Sequence, residues 1–140
     1  MTKKVLVAEP FSPAGLKLLQ EKCEVTACDK LSPEELLRCI GAYDALIVRS
    51  ATKVTAEVLA AGENLQVVGR AGAGVDNIDL DAATRRGILV VNAPDSNTVA
   101  VAEHTIGLML CLARHLCRAV ATMQVGVWLK MELAGTELRD

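Results

Sequence analysis

Short runs of apolar, often β-branched residues recur about every twenty positions along the first two thirds of the chain. They read VLVA from Val5, EVTA from Glu24, ALIV from Ala45, LQVV from Leu65 and GILVV from Gly87. Each run has the length of a strand, and each is followed by a stretch that can form a helix. The pattern therefore predicts five strands that alternate with helices.

Sequence signals for helix ends support this alternation. Ser12 follows the first strand as an N-cap, and Ser32 with Glu35 has the Ser-x-x-Glu spacing of a capping box. Gly62 and Gly87 end the third and fourth predicted helices. Alternating strands and helices form parallel sheets with right-handed crossovers, and strands that are apolar throughout are buried on both faces. The predicted fold class is therefore α/β, a flavodoxin-like open parallel five-stranded sheet with helices on both faces.

The segment after the fifth strand has a different pattern. From Thr98 to Met123 it contains no proline, a single glycine (Gly107) and a broad apolar stripe. These features predict one helix of roughly 24 residues and 36 Å. Because such a helix reaches out of the first domain, we expect that domain over residues 1–97 and the start of a second over 98–140. The closing residues QVGVWLKMELAGTELRD are irregular, which is typical of a chain that ends within a longer protein.

Composition and charge narrow the possible partners and the compartment. The chain has a formal net charge of −2 and one residue each of Phe, Tyr and Trp, so no nucleic acid is expected to bind. The most apolar segment, TIGLMLCLA, is about half of the roughly 20 residues that cross a bilayer; it predicts a buried helix and no membrane partner. Five cysteines without CxxC spacing predict neither zinc nor disulfides. With no signal-peptide core either, we expect a cytoplasmic protein.

The candidate chemistry lies where the predicted strands end, because ligands of open parallel sheets bind outside the carboxyl ends of the strands. Arg49 and Ser50 follow the third strand, and Arg70 with the turn Ala71–Gly74 follows the fourth. Two arginines and a small-residue turn suit an anion, and consecutive N–H groups leading to a helix N-terminus near Asn77 would bind a carboxylate or phosphate. The turn is equally compatible with a plain tight connection, and Arg49 with a solvated charge.

The turn GRAGAGVDN fails the test for a dinucleotide loop. Read from Gly72, the G-x-G-x-x-G pattern requires a third glycine at Asn77 and an acidic residue roughly twenty positions later. Neither is present, since the next strand ends at Asn92. Glu103 and His104 are neighbours on the predicted helix and point about 100° apart, so they do not form an acid–base pair. No metal or nucleophile site can be assembled from the two histidines.

Three long motifs resemble a known family. LIVRSATKVT, LQVVGRAGAGVDNIDLDAATRRGILVVNAPDSNTVAVAEHTIGLMLCLAR and GVWLKMELAGTEL are similar to the N-terminal part of the NAD-dependent D-2-hydroxyacid dehydrogenases, most strongly from Leu46 to Arg114. The resemblance implies a two-domain enzyme whose substrate domain comes first and is completed by the far end of the chain, with a Rossmann domain inserted. It also implies that NAD takes a hydride from C2 of 3-phosphoglycerate, giving 3-phosphohydroxypyruvate.

The resemblance further implies roles for individual residues. Arg49 and Ser50 would lie near the anionic groups of a small phosphorylated hydroxy acid. The backbone groups implied to receive its carboxylate are those of Ala71, Gly72, Ala73 and Gly74. Relatives often have threonine at the position of Ala73, where it approaches the cofactor, so alanine keeps only a backbone contact. The helix from Thr98 would join copies into a homo-oligomer.

The same resemblance places the rest of the machinery beyond residue 140. The G-x-G-x-x-G loop and the family's catalytic Arg, Glu and His would all lie there, so we expect no catalytic residue in this chain and no activity from it alone. An alternative stays open: a stand-alone flavodoxin-like regulatory or dimerisation module. A receiver module needs an acid and a lysine where this chain has Arg49 and Asn92, and a flavin loop needs more hydroxyls than Ser12.

Overall fold

A computed structural model describes residues 2–139 and divides the chain into two compact units, the first ending at Ser96 and the second beginning at Asn97. The strands of the first unit are β1 (Lys4–Val7), β2 (Glu24–Ala27), β3 (Ala45–Val48), β4 (Val67–Arg70) and β5 (Leu89–Asn92). Its α-helices are α1 (Pro13–Gln20), α2 (Pro33–Cys39), α3 (Ala56–Ala61) and α4 (Leu80–Arg85), with a 3-10 turn at Ile40–Ala42.

The five strands form one sheet in the order β2-β1-β3-β4-β5, and every neighbouring pair is parallel. The predicted flavodoxin-like sheet is confirmed, because this is the strand order of that fold. The chain moves one way across the sheet from β1 to β2 and the other way from β2 through β3 and β4 to β5. Right-handed crossovers therefore place α1 on one face and α2, α3 and α4 on the other.

The core lies between the sheet and the helices α2, α3 and α4, which cover one of its faces. Leu46 at the centre of β3 pairs with Leu6 of β1 and Val68 of β4, and all three side chains are buried. On the edge strand β5, Val90 packs against this core, so Leu89 and Val91 point to the opposite face and stay exposed. Because all five strands are parallel, their carboxyl ends lie at one edge of the sheet.

The predicted helix signals are present in the structure. The Ser12 hydroxyl accepts a hydrogen bond from the Gly15 N–H at 3.0 Å. Ser32 and Glu35 form the capping box, in which each side chain accepts from the other's backbone N–H, at 3.2 and 2.8 Å. Gly87 adopts a left-handed conformation with φ of 68° directly after α4, a backbone geometry that favours glycine.

The second unit contains two helices where the sequence predicted one. α5 (Thr98–Ala113) and α6 (Leu116–Gln124) are bent by 67°, and a 3-10 turn follows at Lys130–Leu133. The prediction of one continuous helix is wrong because His115 takes the left-handed conformation, with φ of 53°. The carbonyl of Ala113, which would bond to a later turn of a straight helix, accepts the Thr136 N–H at 2.7 Å instead.

The expectation that TIGLMLCLA is a buried helix is also wrong for the described part of the chain. Ile106, Leu108 and Met109 are more than half exposed, and neither α5 nor α6 contains a buried residue. Within residues 2–139 no single helix is both long and apolar enough to span a membrane, and α5 with α6 meets that test only as a bent pair.

Candidate functional site: an anion corner at the carboxyl edge of the sheet

Two loops meet where β3 and β4 end. Val48 pairs with Arg70 in the parallel register, so Arg49 and Ala71 leave the sheet side by side. The Ala71 N–H donates to the Val48 carbonyl at 2.9 Å, which joins the two strand ends. We call the side chains of Arg49 and Ser50, together with the loop 71–76, the anion corner.

The free backbone N–H groups of this corner differ from the predicted set, Ala71–Gly74. They begin later in the loop and extend further along it. The N–H groups of Ala71 and Gly72 are already used, on the carbonyls of Val48 and Arg70, both at 2.9 Å. The next four N–H groups, those of residues 73–76, donate to no acceptor within residues 2–139. The free donors are therefore Ala73 and Gly74 of the predicted set, with Val75 and Asp76 added.

The prediction of a helix N-terminus near Asn77 is wrong. α4 begins at Leu80, and Asp79 caps it by accepting the Ala82 N–H at 2.8 Å. Before the cap, residues 76 and 77 form a turn and Ile78 forms a parallel bridge with Val54. The free N–H groups thus belong to a loop, and no helix dipole adds to their attraction for an anion.

The two arginines of the site have different roles. The Arg70 side chain is only 10% exposed, and its guanidinium donates to the carbonyls of Arg49 and Gly74 and pairs with Asp76 at 3.3 Å. Arg70 is therefore not free for a ligand, contrary to the interpretation that both arginines suit an anion. The Arg49 side chain is exposed and has no hydrogen-bond or ion-pair partner within the described range. A Cβ at Gly74 would lie 2.8 Å from the Asp76 Oδ1 and 3.0 Å from the Arg70 Nη1, so a larger residue here would displace the Arg70–Asp76 pair.

Two asparagines hold the loops, a function that was not predicted from the sequence. Asn77 donates through Nδ2 to the carbonyls of Arg49 and Thr52, at 2.8 and 2.6 Å. Asn92, at the end of β5, donates through Nδ2 to the Ala73 carbonyl at 2.6 Å. The only sequence signal was the presence of asparagine directly after a turn and a strand, where its short amide commonly bonds to the backbone.

Glu9 supports the same loop from β1. Its Oε1 accepts the N–H groups of Arg49 and Thr52 at 2.9 and 2.8 Å, and its Oε2 accepts that of Ala51 at 3.2 Å. Desolvation alone would raise the pKa of Glu9, but the hydrogen bonds from Thr52, Arg49 and Ala51 outweigh it and lower the pKa below its ordinary value. Glu9 is therefore ionised in the folded chain at neutral pH.

Glu9→Gln is expected to lower the free energy of unfolding by about 1 to 2 kcal/mol at pH 7, since it weakens hydrogen bonds to a partly exposed charged acceptor. Because the pKa of Glu9 is lowered by folding, its stabilisation is present above the unfolded-state pKa and is lost as the pH falls through the folded-state pKa. The difference between wild type and variant, measured by urea unfolding, should shrink as the pH is lowered from 7. Glu63→Gln, an exposed control, should show no such trend.

Of two open spaces in the first unit, one adjoins the anion corner and the other does not. A groove of about 420 Å³ is lined by Ser50 and Asp76 among other residues, and so adjoins the corner. A cavity of about 620 Å³ lies toward α2 and α3 and is lined neither by Arg49 nor by the loop 71–76. The free donors mark the candidate site, because guanidinium groups and unpartnered backbone N–H groups are both donors that bind carboxylate or phosphate. No group of three or more His, Cys, Asp or Glu residues that could bind a metal occurs within residues 2–139.

One family of proteins matches the chain by sequence along nearly its whole length. The catalytic-domain profile of the D-isomer specific 2-hydroxyacid dehydrogenases matches residues 5–137. The D-3-phosphoglycerate dehydrogenases of Homo sapiens and Archaeoglobus fulgidus are each 50% identical over 137 residues, 97% of this chain. The chain spans 26% of the length of these curated relatives.

Solved structures are also similar to this chain. The PH0520 protein from Pyrococcus horikoshii has a TM-score of 0.82 and 39% identity, over 91% of this chain and 38% of that one. The NAD+-bound 3-phosphoglycerate dehydrogenase of Entamoeba histolytica has a TM-score of 0.70 and 34% identity, over 81% and 40%. An acyclic imino acid reductase has a TM-score of 0.89 at 22% identity, over 98% and 46%, which supports the fold alone.

Proposed function

The chain belongs to the D-isomer specific 2-hydroxyacid dehydrogenase family, and from that premise we propose that it is the N-terminal, substrate-binding part of an enzyme that oxidises 3-phosphoglycerate to 3-phosphohydroxypyruvate with NAD. The resemblance implies that this is the first step of serine biosynthesis. The observation that carries the proposal is a loop with four N–H groups unpartnered within residues 2–139, joined through Arg70 to the backbone of Arg49, whose own side chain has no partner there either. It occurs in a chain 50% identical to D-3-phosphoglycerate dehydrogenases.

The substrate carries a carboxylate and a phosphate, and the corner offers donors for both. Arg49 can form two parallel hydrogen bonds with an oxyanion, and Ser50 adds a hydroxyl donor. The N–H groups of Ala73 and Gly74 are the free members of the predicted carboxylate-binding turn. Ala71 and Gly72 contribute as the small-residue wall of the turn, since their own N–H groups bond within the chain.

The residues of this turn do not fit the phosphates of a dinucleotide. The third glycine is replaced by Asn77, whose side chain holds the β3–α3 loop, and α4 starts three residues later. We infer that NAD is bound mainly by a domain outside these 140 residues and comes close to the corner only at Ala73. That domain would also supply the family's catalytic Arg, Glu and His.

The proposed organisation follows the two compact units. Residues 1–97 form the N-terminal part of the substrate domain, and residues 98–140 begin the nucleotide-binding domain. The helix from Thr98 makes the contact between copies of a homo-oligomer. The exposed apolar side chains of α5 support this assignment, because large exposed apolar patches mark interaction surfaces.

Two measurements test the proposal. The coding sequence that follows codon 140 should encode an apolar strand and a G-x-G-x-x-G turn within about twenty residues; a stop codon there would favour the regulatory or dimerisation module. By calorimetry, the 140-residue chain should bind NAD negligibly and 3-phosphoglycerate weakly at most. Tight NAD binding by this chain would contradict the assignment of domains.

Arg49→Ala in the full-length protein is expected to lower kcat/KM for 3-phosphoglycerate roughly tenfold to hundredfold, because a charge-assisted pair with the substrate is lost. Steady-state kinetics that follow NADH at 340 nm provide the readout. Arg38→Ala, on the exposed surface of α2, is the matched control and should leave kcat/KM unchanged. Equal values for both variants would remove Arg49 from the substrate site.

A further inference from the structure

The backbone of Arg49 is held from both sides by side chains distant in sequence. Its N–H donates to Glu9 at 2.9 Å, across 40 residues of chain. Its carbonyl accepts from Asn77 at 2.8 Å, across 28 residues. Both side chains also bond to Thr52 in the same loop, Glu9 to its N–H and Asn77 to its carbonyl. The segment 49–52 is thereby fixed to β1 and to the loop after β4.

Each of these side chains has an unfavourable property at its position. The Asn77 Oδ1 is buried and has no hydrogen-bond partner within residues 2–139, which leaves a desolvated acceptor. Glu9 places an ionised carboxylate next to the loop that carries Arg49. The negative charge of Glu9 opposes anion binding, whereas the Arg49 guanidinium favours it. Neither property would help a simple loop connection or an anion site as such.

We propose that Glu9 and Asn77 are positioning residues, which hold the Arg49 backbone next to the loop that carries the free N–H groups of residues 73–76. The proposal deepens the proposed function and rests on it, because the anion being positioned for is the substrate. Glu9 and Asn77 touch the loop, not the substrate, and they act through Arg49 and Thr52.

The sign of one effect separates positioning from electrostatics. Glu9→Gln removes a negative charge near the corner, so electrostatics alone would strengthen anion binding. The NH2 group of glutamine would face the Ala51 N–H, and two donors cannot bond to each other, so the loop would lose a contact. If Glu9 acts by positioning, anion binding would therefore be weaker. Asn77→Leu keeps the side-chain shape without changing charge, and it removes both donor bonds to the loop.

The experiment uses the 15N-labelled 140-residue chain, titrated with 3-phosphoglycerate and, separately, with inorganic phosphate at pH 7. For the wild type we expect shifts of the amide signals of residues 49–52 and 73–76, with a Kd on the order of millimolar. Glu9→Gln and Asn77→Leu should each raise the Kd at least threefold and speed hydrogen exchange of the Arg49 amide. Glu63→Gln makes the same charge change at an exposed site and should leave the Kd unchanged.

Arg49→Ala separates the two possible failures. If Arg49→Ala binds as well as the wild type, the anion corner and the proposed function are wrong. If Arg49→Ala loses binding but Glu9→Gln binds as tightly as the wild type or more tightly, positioning is overturned and the proposed function stands. An unchanged Kd for Asn77→Leu would likewise overturn the positioning role and leave the proposed function standing. The same spectra report folding through the dispersed signals of β3 and β4, and if one variant unfolds, the Kd of the other decides.

Discussion

Replacing Arg70 by methionine is expected to lower the free energy of unfolding of the first unit by about 3 kcal/mol. Arg70 is nearly buried at the end of β4, and its guanidinium donates to the carbonyls of Arg49 and Gly74 and pairs with Asp76. Methionine fills much of the volume of the stem but offers no donor. The Gly74 carbonyl would lose its partner and the Arg49 carbonyl would keep only Asn77, so the two loops of the anion corner would be less firmly joined.

Urea unfolding followed by far-UV circular dichroism measures the loss caused by Arg70→Met. Arg85→Met, an exposed substitution on α4, removes the same charge and should change the free energy of unfolding by less than about 0.5 kcal/mol. Trp128 is the single tryptophan and lies in the second unit, so its fluorescence reports that unit separately. Equal stabilities of the two variants would show that Arg70 does not tie the loops together.

Leu46→Ala is expected to lower the free energy of unfolding by about 3 to 4 kcal/mol, the largest effect of any substitution considered. Leu46 is fully buried in the central strand β3, between Leu6 and Val68. Strands on both sides fix the backbone, so the neighbouring side chains cannot close the cavity that alanine leaves. The cost therefore includes the cavity as well as the lost apolar burial.

Leu18→Ala on α1 is the matched control, because the Leu18 side chain is 66% exposed. Its effect on the urea midpoint should be small, about 0.5 kcal/mol or less. If Leu46→Ala unfolds at the same urea concentration as Leu18→Ala, the assignment of β3 to the centre of the core is wrong. Hydrogen exchange of the β3 amides provides a second readout, since these amides should exchange only on unfolding of the first unit.

Local features of the sequence predicted most of the first unit. The apolar runs identified all five strands, and Ser12, Ser32 and Glu35 marked the helix starts found in the structure. These signals are local, because a capping residue bonds to its own helix and a buried strand consists of consecutive apolar residues. The anion corner could be predicted in outline for the same reason, since Arg49 and the turn Ala71–Gly74 each follow a predicted strand.

The second unit was predicted less well because its signals are not local. Nothing in the composition around His115 marks a break, and the bond from Thr136 to Ala113 joins residues 23 positions apart. The exposure of α5 had no sequence signal either, because an apolar helix has the same pattern whether its partner lies in the same unit or elsewhere. Residues 98–123 could therefore be identified as helical but not as two helices.

The residue pattern alone was sufficient for the fold class, the strands and the family resemblance, and it indicated the edge of the sheet at which we propose that an anion binds. Folding in three dimensions decided which groups at that edge are free. Arg49 and Arg70 are the same residue type at or just after a strand end, yet Arg70 is consumed by backbone carbonyls while Arg49 stays available. The reason is physical: the partners that occupy a donor, such as Glu9 for the Arg49 N–H 40 residues away, are brought to it only by the packing of the sheet.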